Sequence, residues 1–268
     1  MTVNEFNELG QRLEQILGLR YAPIALRVHR SGDELPTDTY RPWRDKQKHL
    51  AMCQAFAAVR RNREAITMLK EDHWCVWPLV SYGLVEVPPE QAEELGKHFF
   101  IQDQARGVRY FKEEYPRLND SDVVGFSVAP LASCSFEPDL VTVYCRPAQI
   151  RSLQMAAKFA TGEMLRLTLD PVDSCVHSTI PVLNGQQFNI TFPDPGEYER
   201  ALSDEDEVMF TVRADMLPPL MAALEVLAKA GFGYKQLQMD MPTDFPRPKF
   251  YNDAFAAWGL QTGPEWTK

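Results

Sequence analysis

Five cysteines, Cys53, Cys75, Cys134, Cys145 and Cys175, are spread along a chain of 268 residues, and two of them have a histidine two positions away. The pairs are His73–Trp74–Cys75 and Cys175–Val176–His177. In an extended segment residues i and i+2 point to one face, so each pair would offer a sulfur and an imidazole together. Thiolates and imidazoles are the soft donors that hold zinc, iron or copper. Cys53, Cys75 and Cys175, with His73 or His177, would fill three or four positions around a metal. Three cysteines would also hold an iron–sulfur cluster with one iron open to substrate, a Lewis acid for dehydration or a similar step. Spacing argues against a local motif. Zinc and cluster motifs place cysteines a few residues apart, whereas 21 and 99 residues separate Cys53 from Cys75 and Cys75 from Cys175. Only a fold that gathers distant segments builds such a site.

The same thiols permit covalent catalysis, with one cysteine attacking and His73 or His177 taking its proton. Cys53 falls near the start of a helix, where free backbone N–H groups and the dipole favour a thiolate. Gln54 beside it would orient a ligand. The plainer role of Cys53 is that of a small apolar residue on an Ala-rich helix. Trp74, Trp77 and Tyr82 surround Cys75 in sequence. They suit either a core or a pocket for a flat substrate with Tyr82 as proton donor. Arg60 and Arg146 are candidates to grip a carboxylate in a two-pronged contact. Arg146 is placed for this at a strand end before Pro147.

Familiar catalytic signatures are absent. The chain has no GxGxxG opening a helix, no HExxH and no GxSxG, which lowers nucleotide binding and hydrolysis by the common routes. Asp204–Glu205–Asp206–Glu207 lacks calcium-loop spacing. A net charge of −9 disfavours non-specific nucleic-acid binding. No run reaches the roughly 20 apolar residues of a membrane span. Met1–Glu5 lacks a basic stretch followed by an apolar core, so a secretory signal is not expected. Five cysteines, an odd number, in a chain this long fit reduced thiols and a cytoplasmic setting.

The elements that must position these residues are legible in part. Thr2 and Glu5 have capping-box spacing, Phe6, Leu9, Leu13, Ile16 and Leu17 form a helical stripe, and Gly18 suits its end. Residues 24–28 after Pro23 read as a strand, 30–48 as a loop with Trp43 as an anchor, 50–60 as a helix, and 66–69 as a short strand or turn. Residues 75–84 are apolar and ambiguous. Pro89 opens a helix near 90–103, and a further helix carries Tyr110 and Tyr115. Residues 123–129 are expected to pair with 140–144, followed by a helix from Pro147 to Gly162. Residues 188–192 and 207–212 with a helix near 217–230 repeat that plan. The expected fold is α+β, a mixed or antiparallel sheet covered by helices, with a repeated strand–strand–helix unit. One compact domain over 1–268 is expected, or a subdivision at 1–120 and 121–235 with a proline-rich strap over 236–268. Phe255, Trp258 and Trp266 would dock the tail or an oligomer partner.

The order of local features resembles a bacterial and archaeal family known as domain of unknown function 169. The matching pieces are Pro23–Ile24–Ala25–Leu26, Cys53–Gln54, Cys75 with Tyr82–Gly83–Leu84, Pro138 to Tyr144 with Pro147, and Cys175 with Ile180–Pro181. They span roughly residues 15 to 230. Family members often carry a Gly-Cys-x-Gly-x-Arg-like segment after the third shared cysteine. Here Thr191–Phe192–Pro193–Asp194–Pro195–Gly196–Glu197 stands instead, without a fourth cysteine. The resemblance brings no established activity.

The expectation is a metal- or iron–sulfur-dependent enzyme acting on a small aromatic or carboxylated substrate. Cys53, Cys75 and Cys175 would hold zinc, iron or a cluster. His73, Tyr82 and His177 would move protons, and Gln54, Trp77 and Arg146 would bind substrate. The alternatives are a non-catalytic small-molecule-binding or assembly protein, including a homo-oligomer, and a cysteine-nucleophile enzyme.

Overall fold

The computed structural model describes residues 1–167, 169–234 and 246–265. Two compact units divide the chain, Met1–Tyr234 and Lys235–Lys268.

The first unit begins with α1 (Val3–Leu17), whose Thr2–Glu5 capping box forms and which ends at Gly18 in the left-handed conformation. Next come β1 (Ile24–Arg30), the single-turn α2 (Pro42–Lys46), α3 (Met52–Asn62) and β2 (Ile66–Leu69). The ambiguous apolar stretch is the short helix α4 (Val76–Ser81). Then α5 (Pro89–Gly96) stops seven residues before the expected 103. At Gly96 the next helix, α6 (Gln104–Glu113), crosses so closely that a Cβ would sit 2.5 Å from Val108 Cα. Two strands, β3 (Val123–Pro130) and β4 (Leu140–Cys145), lead to α7 (Pro147–Thr161), which ends at Gly162 as its spacing predicts. The remainder is α8 (Ser174–Leu183), β5 (Phe188–Thr191), α9 (Pro195–Arg200), β6 (Val208–Arg213) and α10 (Leu217–Lys229).

One six-stranded sheet, ordered β2-β3-β1-β4-β6-β5, draws strands from both sides of residue 120, and its strand pairs are antiparallel. The fold is therefore α+β. The expected β3–β4 pairing does not form: both strands flank β1, with Ile24 opposite Pro130 on one side and Thr142 on the other. By contrast β5 and β6 are direct neighbours. The two strand–strand–helix segments thus share an element order but differ in pairing.

Side chains alternate along each strand, and both sheet faces are covered. Ala25, Val141, Val143, Phe210 and Val212 face a core with Leu13 and Leu17 of α1, Leu153 of α7, and Leu217, Leu220 and Leu224 of α10. Ile24, Leu26, Val28, Phe126, Leu140 and Tyr144 face the opposite core with Met52, Phe56 and Val59 of α3, Val80 of α4, Phe111 of α6, and Cys175 and Ile180 of α8. Burial on both sides explains why β1 and β4 read as continuous apolar runs. Each fully buried Leu, Ile or Phe contributes about 1.5–3 kcal/mol.

The second unit holds α11 (Lys249–Ala257). There Arg247 pairs through its backbone with Glu265, and its guanidinium lies 4.7 Å from the Phe255 ring. Trp258 is mostly exposed. The strap residues Met241–Phe245 and the aromatic Trp266 lie outside the described residues. Among the described residues no helix is long and apolar enough to cross a membrane.

Candidate functional site

Three cysteines stand at three helix starts. Cys53 is the second residue of α3, Cys75 is the residue capping α4, and Cys175 is the second residue of α8. Cys53, Ala51 and Ala57 form a buried cluster with Ala201, just past α9, and Cys75 packs against it. Burial pushes the Cys175 thiol well above its ordinary range, and Cys53, Asp194, Glu197 and Cys75 push it the same way. Burial lifts Cys53 to about 12 with help from Glu197, while the charge of Arg200 opposes. Cys75 is raised by burial, against the backbone N–H of Trp77.

Arg200, the last residue of α9, closes this group on one side. Its guanidinium lies 5.1 Å from the Trp74 ring. Room for it exists because the residue one turn earlier is Gly196: a Cβ there would sit 2.5 Å from Arg200 Cζ. Trp74 is held in turn by Gln54, whose Oε1 accepts from the indole N–H at 2.9 Å and from the Ala51 N–H at 3.0 Å. One amide oxygen thus caps α3 and fixes the indole. Gln54→Ala is expected to destabilise the protein by about 1 kcal/mol, the scale of a lost cap. Chemical denaturation checks this, and an unchanged midpoint would remove Gln54 from that role.

Carboxylates lie behind the thiols. Ser174 N donates to Asp194 Oδ2 at 2.7 Å, and Ser174 Oγ stands 3.1 Å from Asp194 Oδ2 and 2.8 Å from Glu197 Oε1. Asp194 also caps α9 by accepting from the Glu197 N–H at 2.9 Å. Fully buried Glu197 accepts from the hydroxyls of Tyr144 and Ser203. Burial and the charge of Asp194 raise its carboxyl to about 7. Asp173 is likewise lifted to about 7, first by burial, against a hydrogen bond from the Tyr115 hydroxyl. Asp173 caps α8 with φ 55° and ψ 49°, a left-handed conformation that costs a non-glycine residue about 1–3 kcal/mol.

Among the described residues no side chain of the other predicted residues makes a hydrogen bond to a thiol. The Cys175–Val176–His177 segment is helical, so i and i+2 lie about 200° apart, and the shared face expected for an extended segment is lost. His177 Nε2 meets the Tyr110 hydroxyl at 3.4 Å. His73 packs edge-on to Phe126 at 5.6 Å, and neither ring nitrogen has a hydrogen-bond partner. Burial pushes its pKa down to about 4. Tyr82 is fully buried and donates to Thr179 Oγ1 at 2.9 Å. Trp77 joins an aromatic nest with Phe99, Phe111 and Tyr115. Arg146 donates to the Tyr234 hydroxyl at 2.9 Å. Arg60 is bound to Glu207. Among the described residues no hydrogen bond joins a histidine to Cys53, Cys75 or Cys175. Nor do three His, Cys, Asp or Glu side chains there stand as a ready metal-holding group.

Sequence reasoning missed Arg200, Asp173 and the roles of Asp194 and Glu197. Asp194–Pro195 carried a usable signal, since Asp at the cap and Pro at the first position mark a helix start.

Comparison with known proteins places the chain. The family model of domain of unknown function 169, described as uncharacterised ArCR, matches residues 12–223. An uncharacterised protein of Methanocaldococcus jannaschii is 21% identical over 231 residues, covering 84% of this chain and 96% of that protein. No solved structure matches the chain. The chain belongs to the domain of unknown function 169 family.

Proposed function

We propose, with membership of this family as the premise, that the chain is an enzyme for a small organic molecule. Its centre is the group of Cys53, Cys75 and Cys175, which holds a soft metal ion or an iron–sulfur cluster. The carrying observation is that three cysteines from widely separated segments stand at the starts of three helices, two of them, Cys53 and Cys75, on one packed cluster. Three sulfurs exceed what a single nucleophile requires and match the donor number of a Cys-held centre. Burial holds the thiols protonated, which disfavours a free thiolate nucleophile at neutral pH. A bound cation would offset that burial by favouring deprotonated thiols. The centre would supply Lewis-acid or redox chemistry. Asp173 and Glu197, poised near neutrality, are the groups that would hold or move a proton beside it. All five cysteines are free thiols, which accords with a reducing, cytoplasmic setting.

The test is metal and sulfide content with an absorption spectrum after anaerobic purification. It compares the natural protein with the Cys53→Ser/Cys75→Ser/Cys175→Ser variant. Stoichiometric metal, lost in the variant, is expected. An absence of metal in both, with no uptake on reconstitution, would sink the proposal.

A non-catalytic small-molecule-binding role is the second reading. A cavity of about 780 Å³, lined by Val76, Leu79, Val80, Leu84 and Leu95, favours it. That role predicts ligand affinity unchanged by Cys53→Ser.

A further inference from the structure

We infer that Arg200 and Trp74 form a carboxylate-binding subsite at the edge of the three thiols. The ligand class is then a small carboxylate. This deepens the three-thiol reading and rests on it for the reacting centre.

Arg200 differs from the other well-placed arginines of this unit. Arg20, Arg41, Arg60 and Arg213 each have a carboxylate within ion-pair distance. Arg200 has none among the described residues, and its buried Nε–H finds no acceptor. Its guanidinium lies over the face of Trp74, and Ala201 beside it packs in the buried cluster of Cys53 and Ala57 that Cys75 joins. A guanidinium is a rigid planar fork matched to a carboxylate. Its placement is built in: Gly196 leaves the space it occupies, and the Gln54-held indole supports it from the other side. Trp74 is half exposed, so the subsite opens to solvent.

A carboxylate on Arg200 would lie about 2.8 Å from its nitrogens. The carboxylates behind the thiols are engaged by other donors: Asp194 by Ser174 and the Glu197 N–H, and Glu197 by Tyr144, Ser174 and Ser203.

The test uses acetate, the simplest short carboxylate, against chloride at equal ionic strength, with the Trp74 indole ¹⁵N–H resonance as reporter. Acetate is expected to shift it saturably, with a Kd of about 1 mM, where chloride does not. Arg200→Gln should weaken the response at least about tenfold. Gly196→Ala should do the same while retaining the arginine, because the added methyl displaces the guanidinium without straining the helix. No saturable response to acetate, or an unchanged response in both variants, overturns the subsite. Metal content of the same samples separates the two ideas. An Arg200-dependent response in a metal-free protein leaves the subsite standing and defeats the metal centre. Metal without any acetate response does the reverse.

Discussion

Arg60→Met is expected to lower the unfolding free energy by about 3–5 kcal/mol, the largest single-residue effect outside the hydrophobic cores. Arg60 and Glu207 are 1% and 3% exposed, and Arg60 Nη1 lies 2.7 and 3.0 Å from the two Glu207 oxygens. Removing the cation leaves a carboxylate buried without its charge partner. Its one other acceptor contact, from the Asp204 N–H at 2.9 Å, does not neutralise it. Arg60 also donates to the Ala201 and Leu202 carbonyls at 3.3 and 3.2 Å and lies 4.1 Å from the Tyr144 ring. It therefore ties the end of α9, and with it Arg200, to α3. Guanidinium unfolding of Arg60→Met measures the cost. The double variant Arg60→Met/Glu207→Leu should recover most of it, because replacing both partners by apolar groups removes the stranded charge. A loss below about 1 kcal/mol in the single variant would mean that the pair is solvated and structurally idle.

The second large effect is a pH-dependent gap between the natural protein and Glu197→Gln. In an unfolded chain a glutamate ionises near 4.3, whereas folded Glu197 ionises at about 7. Below pH 4 both states hold the proton and the burial carries no ionisation penalty. As pH rises from 4 towards 7 the unfolded chain gives up its proton first, so the folded state loses relative stability. The loss is complete above the folded value, at about 3 kcal/mol by pH 8. The glutamine of the variant would not titrate and could keep hydrogen bonds to Tyr144, Ser174 and Ser203. The variant should therefore gain on the natural protein with rising pH, most steeply between pH 5 and 7. Urea midpoints across pH 4–8 give the result. A gap that stays constant, or narrows with rising pH, would mean that Glu197 is ionised in the folded state at neutrality. Asp173, lifted the same way, should give a slope of the same sign when replaced by asparagine.

Both predictions concern groups whose importance the sequence hides. Arg60 reads as one member of a solvated basic cluster in Arg60–Arg61–Asn62–Arg63, yet it faces inward because α3 is covered by the segment after α9. Glu197 reads as a surface glutamate in a loop, but it faces inward as the third residue of an unpredicted helix.

Local chemistry in the chain determined much of the framework. The Thr2–Glu5 box, Gly18, Pro147 and Gly162 act on backbone groups within a turn of themselves, so the bounds of α1 and α7 follow from neighbours in sequence. The apolar runs of β1, β4 and β6 are strands for the same local reason. The nomination of Cys53, Cys75 and Cys175 came from residue type and the family resemblance, whereas their places at three helix starts came from the structure. Only the tertiary structure decided which strands pair and what surrounds the thiols. Strands buried on both faces carry no mark of their partner, so β3 and β4 could not be told apart as neighbours of each other or of β1. The period of a short apolar segment is ambiguous, and in α8 it resolved to a helix that turns His177 away from Cys175. Arg200 meets the Trp74 ring across 125 intervening residues. Burial is a property of the assembled layers, and it moved the thiols and carboxylates far from their solution behaviour, because low-dielectric surroundings act on a charge irrespective of sequence distance.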